Sequence, residues 1–374
     1  MQGSAPLVVV AAGGTGGHLF PAEALAVALA RRGAAVDLTT DARATRYGQA
    51  FPARATHVLR SATPRGRNPI SLIRAGIVLA LGTAEAVRLF GRLRPSVVVG
   101  FGGYPTVPPL LAATIRRIPT VIHEQNGVMG RANRFLSGRV DAIATGFPGL
   151  LADNPALARK VTHTGNPVRP AVIAAAATPY EPPRPGEPLR LLVFGGSQGA
   201  RVMADIVPAA VARLPEPVRG CLSVVQQARE EDLGRVKQAY EDMGVTAEIA
   251  PFFADLPARM AAAHLVVGRS GASTVAELAA IGRPAILVPL PHALDQDQRA
   301  NAGVLEKAGG AIRLDQALFT PERLAADITA LAADPDRLAA MAAAARSVGT
   351  VDAAERLADL VLATGNRSGN RVSA

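Results

Sequence analysis

Short runs of apolar residues recur along the whole chain and alternate with longer segments whose apolar residues have helical spacing. The runs in the first half are LVVVAA, AAVDLTT, SVVVGFG, PTVIHEQ, DAIATG and VTHTGNP, and those in the second half are LRLLVFGG, CLSVVQQ, HLVVGRSG and PAILVPLP. Strands that are apolar on both faces and separated by helices are typical of βαβ units in a parallel sheet. The pattern therefore predicts an α/β fold.

The strand pattern restarts near the middle of the chain, where LRLLVFGGSQGA repeats the strand, glycine turn and helix start of LVVVAAGGTGGH. A proline-rich connection precedes the restart, and the length of 374 residues suits two domains. The strand ends of two such sheets can line one cleft, where ligands bind. We predict a first domain over 1–168, a second domain over 169–349, a C-terminal helix over about 350–364 that packs on the first domain, and a frayed tail over 365–374.

The chain carries a net charge of +10, and its basic residues are concentrated. Between Asp41 and Glu124 there are twelve arginines and one acid, Glu85, with many aliphatic residues among them. Basic and bulky aliphatic residues together are typical of a surface that rests on anionic lipid. An amphipathic helix with a solvated basic face is the alternative. Few aromatic residues stand among the arginines to stack bases, so we expect no nucleic-acid partner.

The sequence predicts a cytoplasmic protein without a transmembrane segment. The N-terminus lacks the pattern of an export signal, and the single Cys221 suits a reducing compartment. The longest other apolar segment, residues 75–84, lies between Arg74 and Glu85. It is shorter than the roughly 20 residues that a spanning helix needs.

The first strand is followed by AAGGTGGHLFP, a loop rich in glycine. Its glycines have no Cβ, so a phosphate or sugar can approach the backbone N–H groups at the positive end of the next helix. A merely tight turn is the alternative. The dinucleotide-binding fingerprint needs a further glycine where Leu19 stands, which weakens a hydride-transfer function. His18 at the end of the loop could remove a proton from a sugar hydroxyl, although lone histidines are often structural.

Two glycine-containing turns in the second half could bind a diphosphate. GGSQGA carries Ser197, which can supply a hydroxyl beside backbone N–H groups. In GRSGASTVAEL, Ser270, Ser273 and Thr274 can cap a helix whose positive end suits a diphosphate. Glu277 could accept hydrogen bonds from vicinal hydroxyls of a ligand, or it could be the capping-box partner of Thr274.

Polar residues follow other predicted strands. The segment HEQN, residues 123–126, ends a strand and is expected to point into the cleft. Arg169 follows TGNPV and could pair with phosphate oxygens. The segment DQD, residues 295–297, matches the D-x-D pattern that holds a divalent metal in one class of sugar transferase, but two residues are a weak match. An arginine, a helix end and glycine turns can neutralise phosphate charge, so we expect no required metal.

Seven segments together resemble one family: GGTGGH, GGYPTVP, HEQN, TGNPVR, GGSQGA, GRSGASTVAEL and DQDQRANA. They closely resemble the MurG family, bacterial undecaprenyldiphospho-muramoylpentapeptide β-N-acetylglucosaminyltransferases of glycosyltransferase family 28. The resemblance runs in order from residue 7 to about residue 360. It implies a GT-B fold, in which two Rossmann-like domains with parallel sheets face an interdomain cleft. It also implies that the second domain holds UDP-GlcNAc and the first domain a lipid-linked muramyl-pentapeptide acceptor.

The resemblance carries functional roles onto matching residues. His18 matches the proposed base, and Tyr104 and Glu124 match residues of the acceptor side. Glu277 would hold the uridine ribose, and the backbone at Phe253 would meet the uracil. The other donor-binding positions implied are Thr15, Gly16, Gly17, Asn126, Arg169, Ser197 and Gln298.

One departure leaves a choice open, because the spacing after His292 is slightly longer than in the family pattern. Either Gln296 or Gln298 could therefore occupy the donor-binding position.

The implied reaction is an inverting transfer of GlcNAc to the muramyl 4-hydroxyl, with no cofactor. An acceptor anchored in lipid implies a peripheral enzyme at the cytoplasmic face of the inner membrane, in contact with anionic inner-leaflet lipid. Other cell-wall synthesis proteins are candidate partners. Three alternatives stay open: a related UDP-sugar transferase acting on a diacylglycerol-type lipid, a UDP-GlcNAc 2-epimerase, and a non-catalytic UDP-GlcNAc sensor.

Overall fold

The computed structural model describes residues 5–13, 16–42, 51–63, 68–184, 186–196, 199–291 and 296–372. The chain forms two compact units. Unit 1 comprises Met1–Arg169 and Asp352–Ala374, and unit 2 comprises Pro170–Val351. Each unit has its own parallel sheet with helices on its faces.

The sheet of unit 1 has the strand order β3-β2-β1-β4-β5-β6-β7, and all of its pairs are parallel. The strands are β1 (Leu7–Ala11), β2 (Ala35–Thr40), β3 (Ala55–Val58), β4 (Val97–Gly100), β5 (Thr120–Glu124), β6 (Ala142–Thr145) and β7 (Val161–His163). The helices of this unit are α1 (Gly16–Arg31), α2 (Pro69–Leu93), α3 (Val107–Ile115), α4 (Arg131–Ser137), α5 (Pro155–Ala158) and α15 (Ala353–Val372).

Alternate residues of the central strands bury opposite faces of this sheet, as a strand requires. Val8 and Val10 pack on one face, in the same cluster as Leu25 of α1 and Leu357 of α15. Val9 packs on the other face, in the cluster formed by α2, α3 and α4. The sheet is therefore covered on both sides, which explains the continuous apolar runs.

The sheet of unit 2 has the strand order β10-β9-β8-β11-β12-β13 and is also parallel. The strands are β8 (Leu189–Phe194), β9 (Leu222–Gln227), β10 (Thr246–Ala250), β11 (Leu265–Gly268), β12 (Ala285–Leu287) and β13 (Ala311–Arg313). The helices are α6 (Pro170–Ala175), α7 (Arg201–Val211), α8 (Glu216–Gly220), α9 (Leu233–Asp242), α10 (Leu256–Ala262), α11 (Ala272–Ile281), α12 (Asp297–Ala308), α13 (Pro321–Ala332) and α14 (Pro335–Ser347).

The predicted α/β class is confirmed, and each predicted apolar run contains a strand. The apolar runs did not reveal β3, β10 and β13, which all lie at an edge of their sheet. Residues of β3 alternate between half-buried and exposed, so β3 has no continuous apolar run. Edge strands pair on one side only and need less apolar surface, which explains why the pattern did not reveal them.

Helix α2 is longer than the apolar segment on which the membrane prediction was based. It has 25 residues and includes Arg74 and Glu85, so the argument from a short segment was wrong. Among the described residues, α2 is the one helix that is long and apolar enough to cross a membrane, by length and composition alone. Its C-terminal half is part of the core of unit 1, where Ala86 and Phe90 are buried.

Helix α15 extends through Val372, past residue 365, from which the polar tail is predicted to fray, and the fraying stays a prediction. A Cβ on Gly365 would lie 3.4 Å from the Ser96 carbonyl oxygen and 3.5 Å from the Val97 Cβ. Gly365 of α15 therefore lies next to β4, at a distance that would leave a Cβ in ordinary van der Waals contact.

Two glycines of α2 provide a matched test of its packing. A Cβ on Gly82 would lie 2.0 Å from the Arg60 carbonyl oxygen, whereas a Cβ on Gly76 would meet nothing within 4 Å. We expect Gly82→Ala to lower the free energy of unfolding by about 1–3 kcal/mol, because backbone atoms must move apart. Gly76→Ala should raise it by about 0.5–1 kcal/mol, because alanine favours a helix over glycine. Urea unfolding measures both values, and equal effects would contradict this packing.

Candidate functional site

The imidazole of His18 lies among glycines at the carboxyl end of the unit 1 sheet. Helix α1 begins at Gly16, so His18 is in its first turn and not in the preceding loop. A Cβ on Gly103 would lie 3.4 Å from His18 Nε2, and one on Gly102 would lie 3.5 Å from His18 Cε1. A Cβ on Gly13 would lie 3.7 Å from Cδ2 of the ring. Backbone without side chains therefore surrounds much of the imidazole.

Gly102 and Gly103 also have backbone angles that favour glycine, with φ values of 83° and 74°. They start the turn that leads to Tyr104, the first residue of a short 3-10 helix over Tyr104–Thr106. Tyr104 is partly buried against the core cluster on the α2 and α3 side of the sheet. Its predicted role on the acceptor side stays a prediction.

A series of hydrogen bonds joins His18 to Gly165, in the segment after β7. His18 Nδ1 lies 3.3 Å from Gln125 Oε1. Gln125 Nε2 lies 3.1 Å from both Nδ1 and the carbonyl oxygen of His123. His123 Nε2 lies 3.0 Å from the carbonyl oxygen of Gly165. His123 and Gln125 are buried, so these contacts satisfy polar groups that water does not reach.

Glu124 organises the loop after β5. Its Oε1 accepts hydrogen bonds from the backbone N–H and the side-chain Nδ2 of Asn126, at 3.0 and 3.2 Å. Its Oε2 accepts from the Gly130 N–H at 2.9 Å and from Asn133 Nδ2 at 2.8 Å. The carboxylate is 1% exposed. In the structure Glu124 therefore positions Asn126, and its predicted contact with the acceptor stays a prediction.

Two asparagines that the sequence analysis left without a role hold the same region. Asn133 Nδ2 donates to the His123 carbonyl oxygen at 3.2 Å in addition to Glu124. Asn166 Nδ2 donates to the Gln125 carbonyl oxygen at 2.9 Å, and Gly146 makes room for the Asn166 side chain. The signal for Asn133 was a polar residue at helical spacing with the apolar Leu136 on the buried face of α4.

Arg169 ends the first of the two segments of unit 1 and lies over an aromatic ring of α1. Its guanidinium carbon is 4.6 Å from the centroid of Phe20, which is a favourable cation–π contact. Burial raises the pKa of Glu23 on the same helix, and the positive charge of Arg169 partly opposes that rise. Arg169 is thus placed beside the helix that carries His18, and its predicted pairing with phosphate is untested.

In unit 2, Gln227 at the end of β9 arranges the glycine turn after β8. Its Oε1 accepts from the Gly195 N–H at 2.9 Å, and its Nε2 donates to the carbonyl oxygens of Gly196 and Pro251, each at 3.1 Å. The turn is tight, since a Cβ on Gly195 would lie 2.2 Å from the Ala200 nitrogen.

Several predicted positions fall outside the described residues. They are Gly14, Thr15, Ser197, His292 and Asp295. The D-x-D segment is consequently only partly described. Within the described ranges, no group of three or more His, Cys, Asp or Glu side chains could hold a metal ion.

The start of α11 differs from the prediction at Ser270. The N-cap residue is Gly271, with no side-chain cap, and Ser270 Oγ instead donates to the Gln298 carbonyl oxygen at 2.8 Å. The capping-box alternative for Glu277 was also wrong, because a capping box needs the acid three residues after the N-cap, where Thr274 stands. Glu277 lies one turn beyond Ser273, on the same face of the helix, and is buried.

Gln298 connects the start of α12 to two other segments. Its Oε1 accepts from the Leu290 N–H at 3.1 Å, and its carbonyl accepts from Ser270. Gln296 is the exposed N-cap residue of α12, in a left-handed conformation.

The Phe253 ring is buried under Arg259, whose guanidinium carbon is 4.4 Å from the centroid of the ring.

The side chain of Phe253 is thus packed inside unit 2, which is compatible with a contact made by its backbone. Which of Gln296 and Gln298 contacts a donor stays a prediction.

Comparison with known proteins gives the same family over both units. Residues 8–145 match the glycosyltransferase family 28 N-terminal domain, and residues 190–357 match the family 28 C-terminal domain. A relative from Rhodopseudomonas palustris (strain ATCC BAA-98 / CGA009) is 64% identical over 357 residues, which cover 96% of this chain and 98% of the relative. The chain belongs to glycosyltransferase family 28. Its resemblance to the MurG family is confirmed.

That family 28 relative is named UDP-N-acetylglucosamine--N-acetylmuramyl-(pentapeptide) pyrophosphoryl-undecaprenol N-acetylglucosamine transferase. A relative from Nitrobacter winogradskyi (strain ATCC 25391 / DSM 10237 / CIP 104748 / NCIMB 11846 / Nb-255) has the same name and is 62% identical over 359 residues, covering 96% of this chain and 98% of the relative. The crystal structure of Acinetobacter baumannii MurG is 30% identical with a TM-score of 0.79, and the match covers 96% and 99% of the two chains.

The fold of family 28 is shared more widely. A UDP-GlcNAc 2-epimerase from Neisseria meningitidis matches with a TM-score of 0.66 at 13% identity, over 96% and 99% of the two chains, and this likeness shows the fold alone. Units with seven and six parallel strands confirm the two-domain GT-B class. Ligand binding between the two domains stays a prediction.

The buried His123 predicts a pH dependence of stability. Burial lowers the pKa of His123 from 6.5 to about 4, a direction that its hydrogen bond to Gly165 only partly opposes. The unfolded chain therefore binds a proton more readily than the folded chain between these two pH values. The stability that the folded protein gains from keeping His123 neutral is complete above about pH 6.5 and is lost as the pH falls towards 4.

We expect the free energy of unfolding to fall by about 2 kcal/mol from this histidine between pH 7.5 and pH 5. His264 in unit 2, whose pKa burial also lowers to about 4, adds a change of the same sign. Urea unfolding at the two pH values measures the total. In His123→Gln the change in the free energy of unfolding between the two pH values should be smaller by the amount that His123 contributes. An unchanged pH dependence would contradict the attribution of this change to His123.

Proposed function

We propose that this chain transfers GlcNAc from UDP-GlcNAc to the 4-hydroxyl of undecaprenyl-diphospho-N-acetylmuramoyl-pentapeptide, with inversion at the anomeric carbon. The observation that carries the proposal is the near-complete match, at 64% identity, to a relative named for this reaction. Such a reaction contributes to peptidoglycan synthesis in the bacterial cell wall.

His18 is the proposed general base. A base that receives the proton of a sugar hydroxyl typically contributes about 10²–10⁴ in rate. The glycines around its ring support the role, because these positions place no Cβ beside the imidazole. In the proposed step the acceptor oxygen attacks C1 of GlcNAc, the C1–O bond to UDP breaks, and His18 takes the hydroxyl proton.

Unit 2 is the proposed donor side. The start of α11, with Ser273 and Thr274, provides the positive end of a helix for the diphosphate, and Glu277 lies on the same helix for the ribose. The glycine turn after β8, the Phe253 backbone and Gln298 complete the proposed donor contacts, together with Thr15, Gly16, Gly17, Asn126, Arg169 and Ser197. Preorganised N–H groups and the Arg169 charge would stabilise the departing UDP without a metal.

One assay tests the reaction against its alternatives. Purified protein is incubated with labelled UDP-GlcNAc and a short-chain muramyl-pentapeptide diphospholipid, with and without a chelator. We expect UDP release and labelled lipid only when the acceptor is present, and the same rate with chelator. Turnover of donor alone would indicate an epimerase, label on diacylglycerol a different transferase, and donor binding without turnover a sensor.

Replacement of His18 tests the base. His18→Ala should lower kcat at least about 100-fold and leave UDP-GlcNAc affinity largely intact, because the base acts on the acceptor. The control is His163→Ala, an exposed histidine of unit 1, which should keep wild-type turnover. Loss of donor binding without a specific loss of kcat would contradict the base role.

Helix α2 is the proposed lipid-contacting surface. Ile70, Ile73 and Ile77 are 76%, 63% and 57% exposed, and with Leu81 they form a stripe at helical spacing opposite the buried residues of α2. Arg74 is exposed beside this stripe. Aliphatic side chains that enter the headgroup region and arginines that meet anionic lipid suit an inner-leaflet surface. Because the C-terminal half of α2 is packed in the core, we propose that α2 lies on the membrane.

Vesicle flotation tests this surface. We expect the protein to bind vesicles containing anionic lipid and to bind zwitterionic vesicles more weakly. The double variant Ile73→Ser and Ile77→Ser should reduce binding roughly tenfold or more, because two aliphatic side chains no longer enter the lipid. Its control is Ile173→Ser, an exposed isoleucine of unit 2. Undiminished binding of the double variant would refute a membrane role for α2.

A further inference from the structure

The orientation of the Gln125 amide follows from its neighbours. One end of the amide lies 3.1 Å from the carbonyl oxygen of His123. A backbone carbonyl oxygen can only accept a hydrogen bond, so the end that faces it must be the NH₂ group. The amide oxygen of Gln125 is therefore the atom that faces His18, at 3.3 Å from Nδ1.

The protonation of His123 supports the same orientation. Its Nε2 lies 3.0 Å from the Gly165 carbonyl oxygen and must carry a hydrogen to donate there. Burial keeps the ring neutral by lowering its pKa to about 4, so its Nδ1 has a lone pair. That lone pair accepts the second N–H of Gln125 at 3.1 Å. Each of these donor groups of Gln125 and His123 thus faces an acceptor.

The last hydrogen bond of this series, between Gln125 and His18, determines where the proton of His18 lies. An amide oxygen can only accept, so His18 Nδ1 carries the hydrogen that it donates to Gln125. In a neutral imidazole the other nitrogen, Nε2, then carries the lone pair. Nε2 is also the nitrogen nearest to the space left by Gly103.

From this series of hydrogen bonds we infer that Gln125 is a positioning residue for the transfer reaction. Gln125 holds His18 as the Nδ1–H tautomer, so that Nε2 receives the proton of the acceptor hydroxyl. The inference rests on the proposed function. When Nε2 takes the proton, the ring becomes positive and its Nδ1–H bond to Gln125 Oε1 becomes charge-assisted, which strengthens it. Gln125 therefore also favours the protonated ring that forms during the step.

The surroundings of Gln125 suit such a role, because its backbone and its side chain are both held. Asn166 Nδ2 donates to its carbonyl oxygen at 2.9 Å. Gly102 covers the bond to His18, since a Cβ there would lie 3.7 Å from Gln125 Oε1 and 3.5 Å from His18 Cε1. A rigid acceptor fixes a tautomer better than a mobile one, because less rotamer entropy is lost in making the bond.

The test combines kinetics with ¹⁵N NMR of histidine-labelled protein, which distinguishes the two tautomers of His18. In Gln125→Leu we expect the Nδ1–H signal of His18 to give way to a mixture of tautomers. We also expect kcat to fall about 10–100-fold, with the KM for UDP-GlcNAc within about threefold of wild type. Gln125→Glu keeps a hydrogen-bond acceptor facing Nδ1, provided that its carboxyl group is protonated on the oxygen that faces the His123 carbonyl. At a pH low enough to protonate it, this variant should retain the Nδ1–H signal and recover kcat above the Gln125→Leu value.

The matched control is Gln226→Leu, which removes another buried amide. Gln226 accepts from the Tyr240 hydroxyl at 2.6 Å and donates to the Met203 carbonyl oxygen at 3.3 Å, all within unit 2. We expect it to lower stability and leave the His18 tautomer and kcat unchanged. This outcome separates positioning from general loss of a buried hydrogen bond.

Two results would overturn the inference: a Gln125→Leu protein that retains the pure Nδ1–H tautomer, or one that retains wild-type kcat. The NMR signal needs no turnover, so it also separates this inference from the proposed function. A wild-type protein with the Nδ1–H tautomer and no transfer would refute the proposed reaction alone.

Discussion

Polar side chains at a buried strand end favour an arrangement in which donors face acceptors, because an unmatched polar group in the interior costs about 1–3 kcal/mol. In unit 1 this constraint acts at the end of β5, where His123, Glu124 and Gln125 are all buried. Their partners come from α1, from α4 and from the segment after β7. Matching these groups therefore holds several loops in one arrangement, and the orientation of His18 follows from it.

Both units use a buried glutamine in a similar way. Gln125 follows β5 and connects His123 with His18, whereas Gln227 ends β9 and connects the glycine turn after β8 with Pro251. A glutamine amide donates and accepts at once, so one side chain can tie together two loops that a single-function group could not. The glycines beside these amides let the loops approach closely, which a Cβ at Gly195 would prevent.

Much of the fold could be predicted because buried parallel strands require continuous apolar runs, and these are visible in the sequence. The edge strands β3, β10 and β13 were missed because a strand paired on one side needs no such run. The sequence did not reveal the extent of α2 because Arg74 and Glu85 interrupt its apolar run, although charged residues are compatible with a helix interior.

The site was predictable as a set of polar segments at strand ends, since parallel strands bring their carboxyl ends to one edge. The hydrogen bonds within it were not. The segment HEQN indicated four candidate residues. It could not show that the Glu124 carboxylate accepts hydrogen bonds from loop N–H groups, or that Gln125 faces His18. Such pairings depend on side chains from segments more than 100 residues apart, as between Gln125 and His18. No local pattern encodes them.

Neutron diffraction from crystals grown in deuterated solvent would test the central claim most directly, because it locates the exchangeable hydrogens of the buried chain. The account predicts deuterium on His18 Nδ1 pointing at Gln125 Oε1, and on His123 Nε2 pointing at the Gly165 carbonyl. Deuterium on His18 Nε2 with Nδ1 bare, or a Gln125 amide rotated to present its nitrogen to His18, would contradict it.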